Sequence, residues 1–197
     1  MSRPNPPLIL ASTSRYRREL LERLRLPFST ENPAVDESGA PGEAPAALAR
    51  RLAMAKATAV AARHPGCVVI GSDQVAACHG EALGKPGTDA RACQQLAAAS
   101  GSTVSFHTAV AVIHADGRRH ELHCDQTLVR FRPLTAAAIA RYVALEQPLD
   151  CAGSFKSEGL GIALFEAIET CDPTALIGLP LVWLAAALAR AGLDPLA

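Results

Sequence analysis

Leu8-Ile-Leu-Ala-Ser-Thr-Ser-Arg-Tyr-Arg-Arg-Glu-Leu-Leu21 reads as a strand that runs through small hydroxyl residues into a helix. Leu8 to Ser12 has the continuous apolar character of a short buried strand, and Ser12-Thr-Ser14 supplies a turn and an N-cap. Helical spacing over Tyr16–Leu26 then puts Leu20, Leu21 and Leu24 on one face. Pro27 to Thr30 returns as a strand, so the chain opens as an α/β unit. Downstream, residues 32–45 are rich in Pro, Gly and acid and have no period, which predicts a loop. Ala46–Arg63 is an Ala-rich helix stopped by His64-Pro65-Gly66. Cys67-Val-Val-Ile70 is a buried strand expected to end at Gly71-Ser72-Asp73, and Val75–Leu83 a small hairpin turning at His79-Gly80. Thr88 caps a helix through Ser100. Thr103–Ile113 and His120–Phe131 form two strands joined through Asp116-Gly117, a favoured hairpin turn. Thr135–Glu146 is a helix, Pro148–Gly161 an irregular loop, Ile162–Ile168 a strand, and Pro180–Ala191 a final helix. Alternation at the front and a long hairpin in the middle predict a single α/β domain over residues 1–197, with a central mixed, twisted sheet flanked by helices.

Composition bounds the function. Of 197 residues, 49% are apolar and 19% charged, as in a soluble globular protein. Lys plus Arg and Asp plus Glu are 19 each, so no global basic field attracts nucleic acid and phosphate binding must come from local clusters. The six cysteines form no CxxC pair and no secretory segment precedes them, which predicts buried thiols in a reducing, cytoplasmic compartment. No apolar run approaches the roughly 20 residues needed to span a bilayer. Lysine occurs only three times, at Lys56, Lys85 and Lys156, against sixteen arginines. In such a background each surviving lysine marks a place where a compact ammonium is wanted.

Five segments carry candidate chemistry, each with a plainer reading beside it. The helix start after Ser12 presents free N–H groups and a positive dipole end to an anion, and Arg17 and Arg18 can add contacts to phosphate. A capped helix with solvated arginines also fits, although arginines beside a helix N-terminus are unfavourable without an anion. Asp73, in Val69-Ile-Gly-Ser-Asp-Gln74, lies at an expected strand end, where open α/β sheets gather ligand groups; it could hold a metal, deprotonate water or merely cap a turn. Gly84-Lys85-Pro86 is a lysine-bearing turn. Cys151 to Gly161 is a glycine-pinned loop carrying Lys156 and Glu158. Val35-Asp36-Glu37 could supply a hard oxygen ligand to Mg²⁺ or Mn²⁺. There is no P-loop, GxGxxG or HExxH. His120, His123 and Cys124 read as structural rather than as a zinc site, and Trp183 as a core residue.

In their order along the chain, these segments resemble the Maf family of nucleotide pyrophosphatases. The opening run Leu8–Leu21, Val35-Asp-Glu37, the helix bearing Lys56, Gly71-Ser-Asp73, Gly84-Lys-Pro86, the loop from Gly153 to Gly161, and Gly178-Leu-Pro180 all match that family's motifs. The resemblance implies a mixed-sheet fold with a Maf/ITPase-like cleft, a homodimer, and hydrolysis of nucleoside triphosphates to monophosphate and pyrophosphate with Mg²⁺ or Mn²⁺. Membrane and nucleic-acid partners are not expected. Ser72-Asp-Gln74 and Ser154-Phe-Lys-Ser-Glu158 look like the branch acting on 7-methyl-GTP, whereas the dTTP/UTP branch tends to carry Thr after the acid and Gln in place of Glu158.

By position, the resemblance makes Asp73 the proton acceptor, and Glu37 and Asp73 are expected to position the metal. Ser12, Arg17, Arg18, Lys56, Lys85 and Lys156 are expected to meet the triphosphate. Tyr16, Gln74 and Glu158 are expected to set base preference. A tyrosine can stack on the cationic 7-methylguanine ring, and a carboxylate can accept from its Watson–Crick edge. The branch usually has Pro-Trp where this chain has Arg15-Tyr16. The competing readings are a dTTP/UTP pyrophosphatase of the same family and a non-catalytic nucleotide-binding division regulator.

Overall fold

A computed structural model describes residues 5–197. Seven strands form one mixed sheet in the order β2-β1-β3-β5-β6-β7, with β4 paired to β3. Strands β1 (Leu8–Ala11), β2 (Ser29–Thr30) and β3 (Val68–Cys78) run parallel. Strands β4 (Glu81–Leu83), β5 (Thr103–Ile113), β6 (His120–Phe131) and β7 (Phe165–Glu169) join antiparallel. The helices are α1 (Arg15–Glu22), α2 (Pro45–Ala61), α3 (Asp89–Ala99), α4 (Ala136–Glu146) and α5 (Leu181–Arg190). The α/β class with a mixed sheet expected from the sequence is the one observed.

Strand β3 corrects one expectation. It does not stop at Gly71 but continues to Cys78, paired with β5 over its whole length from Val69↔Ile113 to Cys78↔Val104. The glycine serves packing rather than a turn. A Cβ at Gly71 would lie 2.2 Å from the Ala53 carbonyl oxygen and 2.5 Å from the Ala57 nitrogen. Helix α2 therefore rests its backbone directly on β3, which its buried stripe Ala49, Ala53, Ala57 allows. The last parallel pair is Ala11↔Gly71, so β1 ends there while β3 runs on. Asp73 stands at the point where the parallel half of the sheet stops, inside a strand rather than at its end.

The core divides around this sheet. Leu8, Leu10, Leu20 and Leu21 pack with Leu184 and Leu188 of α5 on one face, and the alanine stripe of α2 covers the other. Toward β7, α3 and α4 close over Phe106, Phe131 and Phe155. Edge-to-face contacts join these rings to Phe165 at 4.7–5.6 Å between centroids. His123 and Cys124 are neighbours on β6 and point to opposite faces, and His123 stacks on the half-buried Trp183 at 5.2 Å. The strand expected to open at Ile162 begins at Phe165, after a 3₁₀ turn over Leu160–Leu164. Helix α1 ends at Glu22, four residues early, and Arg25 lies in the left-handed region at φ 55°. Among the described residues, no helix is long and apolar enough to cross a membrane.

Candidate active site

A cleft of about 760 Å³ opens where β1 ends. Its floor is the junction of α2 with β3. Because α2 lies on Gly71, Lys56, one residue before Ala57, reaches the strand two residues further on. Its ammonium is 2.7 Å from Asp73 Oδ1 and 2.7 Å from Glu37 Oε1. Lys56 is 5% exposed and Asp73 7%, so this contact is largely out of water. Glu37 comes from the loop between β2 and α2 and is open to the cleft. Burial raises its pKa, but the hydrogen bond and charge of Lys56, with Lys85 and Arg17 behind it, outweigh that and hold the carboxyl below the usual glutamate range. Among the described residues, Asp73 Oδ2 has no donor. The only buried side-chain nitrogen or oxygen without a partner among the described residues is His114 Nδ1. Oδ2 therefore faces the open cleft.

One wall is the start of α1. Ser12 accepts from the Ser14 N–H, Ser14 caps the helix by accepting from the Arg17 N–H, and first-turn donors are left toward the cleft. Arg17 is half-buried, and its Nε donates to the Gly178 carbonyl at 3.0 Å. Desolvation lowers its pKa from the ordinary arginine value against the pull of Asp73 and Glu37. The Ser72 hydroxyl lies 3.0 Å from the same carbonyl, so β3, α1 and the segment before α5 are tied at one oxygen. Lys85, exposed on the turn after β4, faces them across the cleft.

The other end holds Tyr16, Asp150, Cys151, Ser157 and Glu158 over the buried rings of Phe106 and Phe155. The Arg15 guanidinium sits 4.7 Å from the Tyr16 ring centroid and donates to its hydroxyl at 2.8 Å. Burial beside Asp150 pushes the Cys151 thiol up to about 12.

Nine of the eleven residues expected at the site line this cleft: Ser12, Tyr16, Arg17, Glu37, Lys56, Asp73, Gln74, Lys85 and Glu158. Two do not. Arg18 follows Arg17 by about 100° of helix turn, so it points away and pairs with Glu22 at 3.1 Å in a separate hollow. Lys156 turns back to the end of α4, where its ammonium donates to the Glu146 carbonyl at 2.9 Å. Gln74 lines the cleft, but its amide nitrogen is committed to Thr108 Oγ1 and to the carbonyls of Ala175 and Leu176. Only its Oε1 remains for a ligand. Asp150 lies in the cleft outside every segment the sequence marked, and Cys151 and Phe155 line it from the marked loop without having been singled out.

A family profile described as "Maf-like protein" matches residues 7–191. The chain belongs to the Maf family. Similar proteins include one from Bordetella avium (strain 197N), 60% identical over 192 residues, covering 98% of this chain and 96% of that protein. Another, from Xanthomonas oryzae pv. oryzae (strain MAFF 311018), is 62% identical over 188 residues, covering 95% and 97%. A third, from Aromatoleum aromaticum, is 56% identical over 188 residues, covering 94% and 96%. Each of these relatives is named 7-methyl-GTP pyrophosphatase. Among the described residues of this Maf protein, no three His, Cys, Asp or Glu side chains gather as a metal set. Its acidic pair is Glu37 and Asp73.

Proposed function

We propose that this chain hydrolyses 7-methyl-GTP to 7-methyl-GMP and pyrophosphate. The observation that carries the chemistry is the buried Lys56–Asp73 pair, with Asp73 Oδ2 open to a cleft walled by a helix N-terminus, Arg17 and Lys85. Lys56 holds Asp73 through Oδ1 at 2.7 Å and leaves Oδ2 free to accept a proton from water. The water oxygen bonds to the α-phosphorus, the bond from that phosphorus to the bridging oxygen breaks, and pyrophosphate departs with the electron pair. Arg17, Lys85 and the first-turn N–H groups of α1 offset the charge that develops on the phosphates. Mg²⁺ takes one or two carboxylates and completes its shell with waters and substrate phosphates. Glu37 and Asp73, bracketing one ammonium, fit that donor set. Such an ion, or Mn²⁺, supplies Lewis-acid stabilisation of the phosphoryl oxygens when bound.

At the other end, Tyr16 offers a π-face to a cationic base and Glu158 an acceptor to its N1–H and exocyclic amine. The names of the relatives support this base. We place the enzyme in the cytoplasm, which its six free cysteines support, and expect the homodimer of the family, to be checked by light scattering. The decisive test is pyrophosphate release with Mg²⁺ or Mn²⁺ from 7-methyl-GTP, GTP, dTTP, UTP and CTP. Preference for 7-methyl-GTP is expected. A pyrimidine preference would overturn the base reading, and no release from any nucleotide would overturn the enzyme.

A further inference from the structure

We infer that Lys156 is a positioning residue for Glu158, locking the base-reading loop onto the C-terminus of α4, and is not a phosphate ligand. The inference rests on the reading of Glu158 as the acceptor for the base.

Helix α4 contributes no side chain to the cleft, yet its last turn grips the loop at four places. The Lys156 ammonium donates to the Glu146 carbonyl at 2.9 Å and lies 3.4 Å from the Gln147 carbonyl. These are terminal acceptors that the helix cannot use itself, and a cation is favoured there by the helix dipole. The Lys156 N–H donates to the Tyr142 hydroxyl at 3.1 Å, and Tyr142 is 3% exposed. On the far side of Glu158, the Leu160 N–H donates to Glu146 Oε2 at 2.8 Å, while the other carboxylate oxygen faces the Lys156 ammonium at 3.8 Å. Glu158 thus stands between two anchored neighbours, with Ser157 and Glu158 as the loop's contribution to the cleft.

The loop is folded tightly around the same lysine. A Cβ at Gly161 would lie 2.3 Å from the Lys156 carbonyl oxygen. Glu158 itself is exposed and its side chain makes a 3.3 Å contact with Ser157, so its position is set through the backbone of its anchored neighbours. The third lysine of a lysine-poor chain is thereby accounted for: a compact ammonium with several donors suits two backbone carbonyls and a carboxylate.

A phosphate ligand and a positioning residue leave different kinetic marks. In Lys156→Met, KM for 7-methyl-GTP should rise about tenfold, as for one lost charge-assisted contact, while KM for GTP rises less and the base preference shrinks. Inhibition by inorganic pyrophosphate should stay within about twofold of wild type, since the phosphate end is untouched. Lys85→Met should weaken pyrophosphate inhibition, and Lys156→Arg should keep most of the base preference. Weakened pyrophosphate inhibition in Lys156→Met, or an unchanged base preference, would overturn the proposal. If Lys156→Met does not fold, Glu146→Ala removes the carboxylate that holds the Leu160 N–H and faces the Lys156 ammonium, and takes the same measurements. Glu158→Gln separates the two levels: an unchanged base preference in that variant overturns the base reading and the proposal with it, whereas a changed one beside an unaffected Lys156→Met overturns the positioning alone.

Discussion

The ammonium of Lys56 and the Asp73 carboxylate meet at 2.7 Å because a helix and a strand touch backbone to backbone one turn away. A buried pair of this kind is weak evidence for stability, since desolvation offsets much of the attraction, but removing one partner leaves a buried charge without compensation. Lys56→Met should therefore destabilise the fold by about 3–5 kcal/mol. In a domain of this size that lowers the melting temperature by roughly 2–4 °C per kcal/mol, readable by circular dichroism. A melting temperature within a degree or two of wild type would show that solvent at Oδ2 and the nearby Arg17 compensate the carboxylate without the ammonium.

Asp73→Asn keeps the shape and a hydrogen-bonding oxygen beside Lys56 while removing the proton acceptor. Turnover should fall by about 10²–10⁴ with the protein still folded, measured as pyrophosphate release beside a circular dichroism spectrum. Turnover near wild type would take Asp73 out of the role.

Glu37 is the more exposed member of the acidic pair, so its removal should act on metal use more than on folding. Glu37→Gln should raise the Mg²⁺ concentration for half-maximal activity at least several-fold, since a site with one or two carboxylates loses a charged ligand. Its pKa is held low, so the carboxylate is charged through the neutral range. Its pairing with Lys56 stabilises the fold above the ordinary glutamate pKa and is lost as pH falls through the lower folded value. From pH 6 to pH 8, well above the pKa of about 4.3 of a free glutamate, the Mg²⁺ requirement should change with pH in wild type no more than in Glu37→Gln. A pH dependence near neutrality that Glu37→Gln abolishes would contradict the assignment.

The sequence made the fold legible wherever periodicity and turn chemistry agreed. The Asp116-Gly117 hairpin and the α3 cap at Thr88 appear where they were expected. It misled at Gly71, because a glycine demanded by a helix lying on a strand looks the same in sequence as one demanded by a turn. Arg17 and Arg18 were equal in sequence and differ in space by one step of helix rotation. The direction Lys156 takes was illegible for a deeper reason: its partners are backbone carbonyls at the end of α4, and backbone acceptors leave no signature in side-chain identity. The cleft residue Asp150 was hidden likewise, since the irregular loop that carries it has no period to read.

Cys151 lies in the cleft near Tyr16, with its thiol pushed up to about 12 by burial and by Asp150. Only the thiolate is nucleophilic, so at pH 8 this cysteine should alkylate more slowly than a free thiol of pKa about 8.5 by two orders of magnitude or more. Cys171, exposed after β7, should be modified by iodoacetamide first, as followed by peptide mass mapping. The raised pKa also has a sign for stability. Folding favours the protonated thiol, so the contribution is complete below the unfolded pKa of about 8.5 and is lost as pH rises toward 12. Cys151→Ser should therefore flatten the alkaline loss of melting temperature seen in wild type between pH 8.5 and pH 10, a range set by the free-thiol pKa of about 8.5. Rapid alkylation of Cys151 at pH 8 would mean that the loop carrying Glu158 opens far enough to hydrate the thiol, and the base end of the cleft would then be a moving part rather than a fixed one.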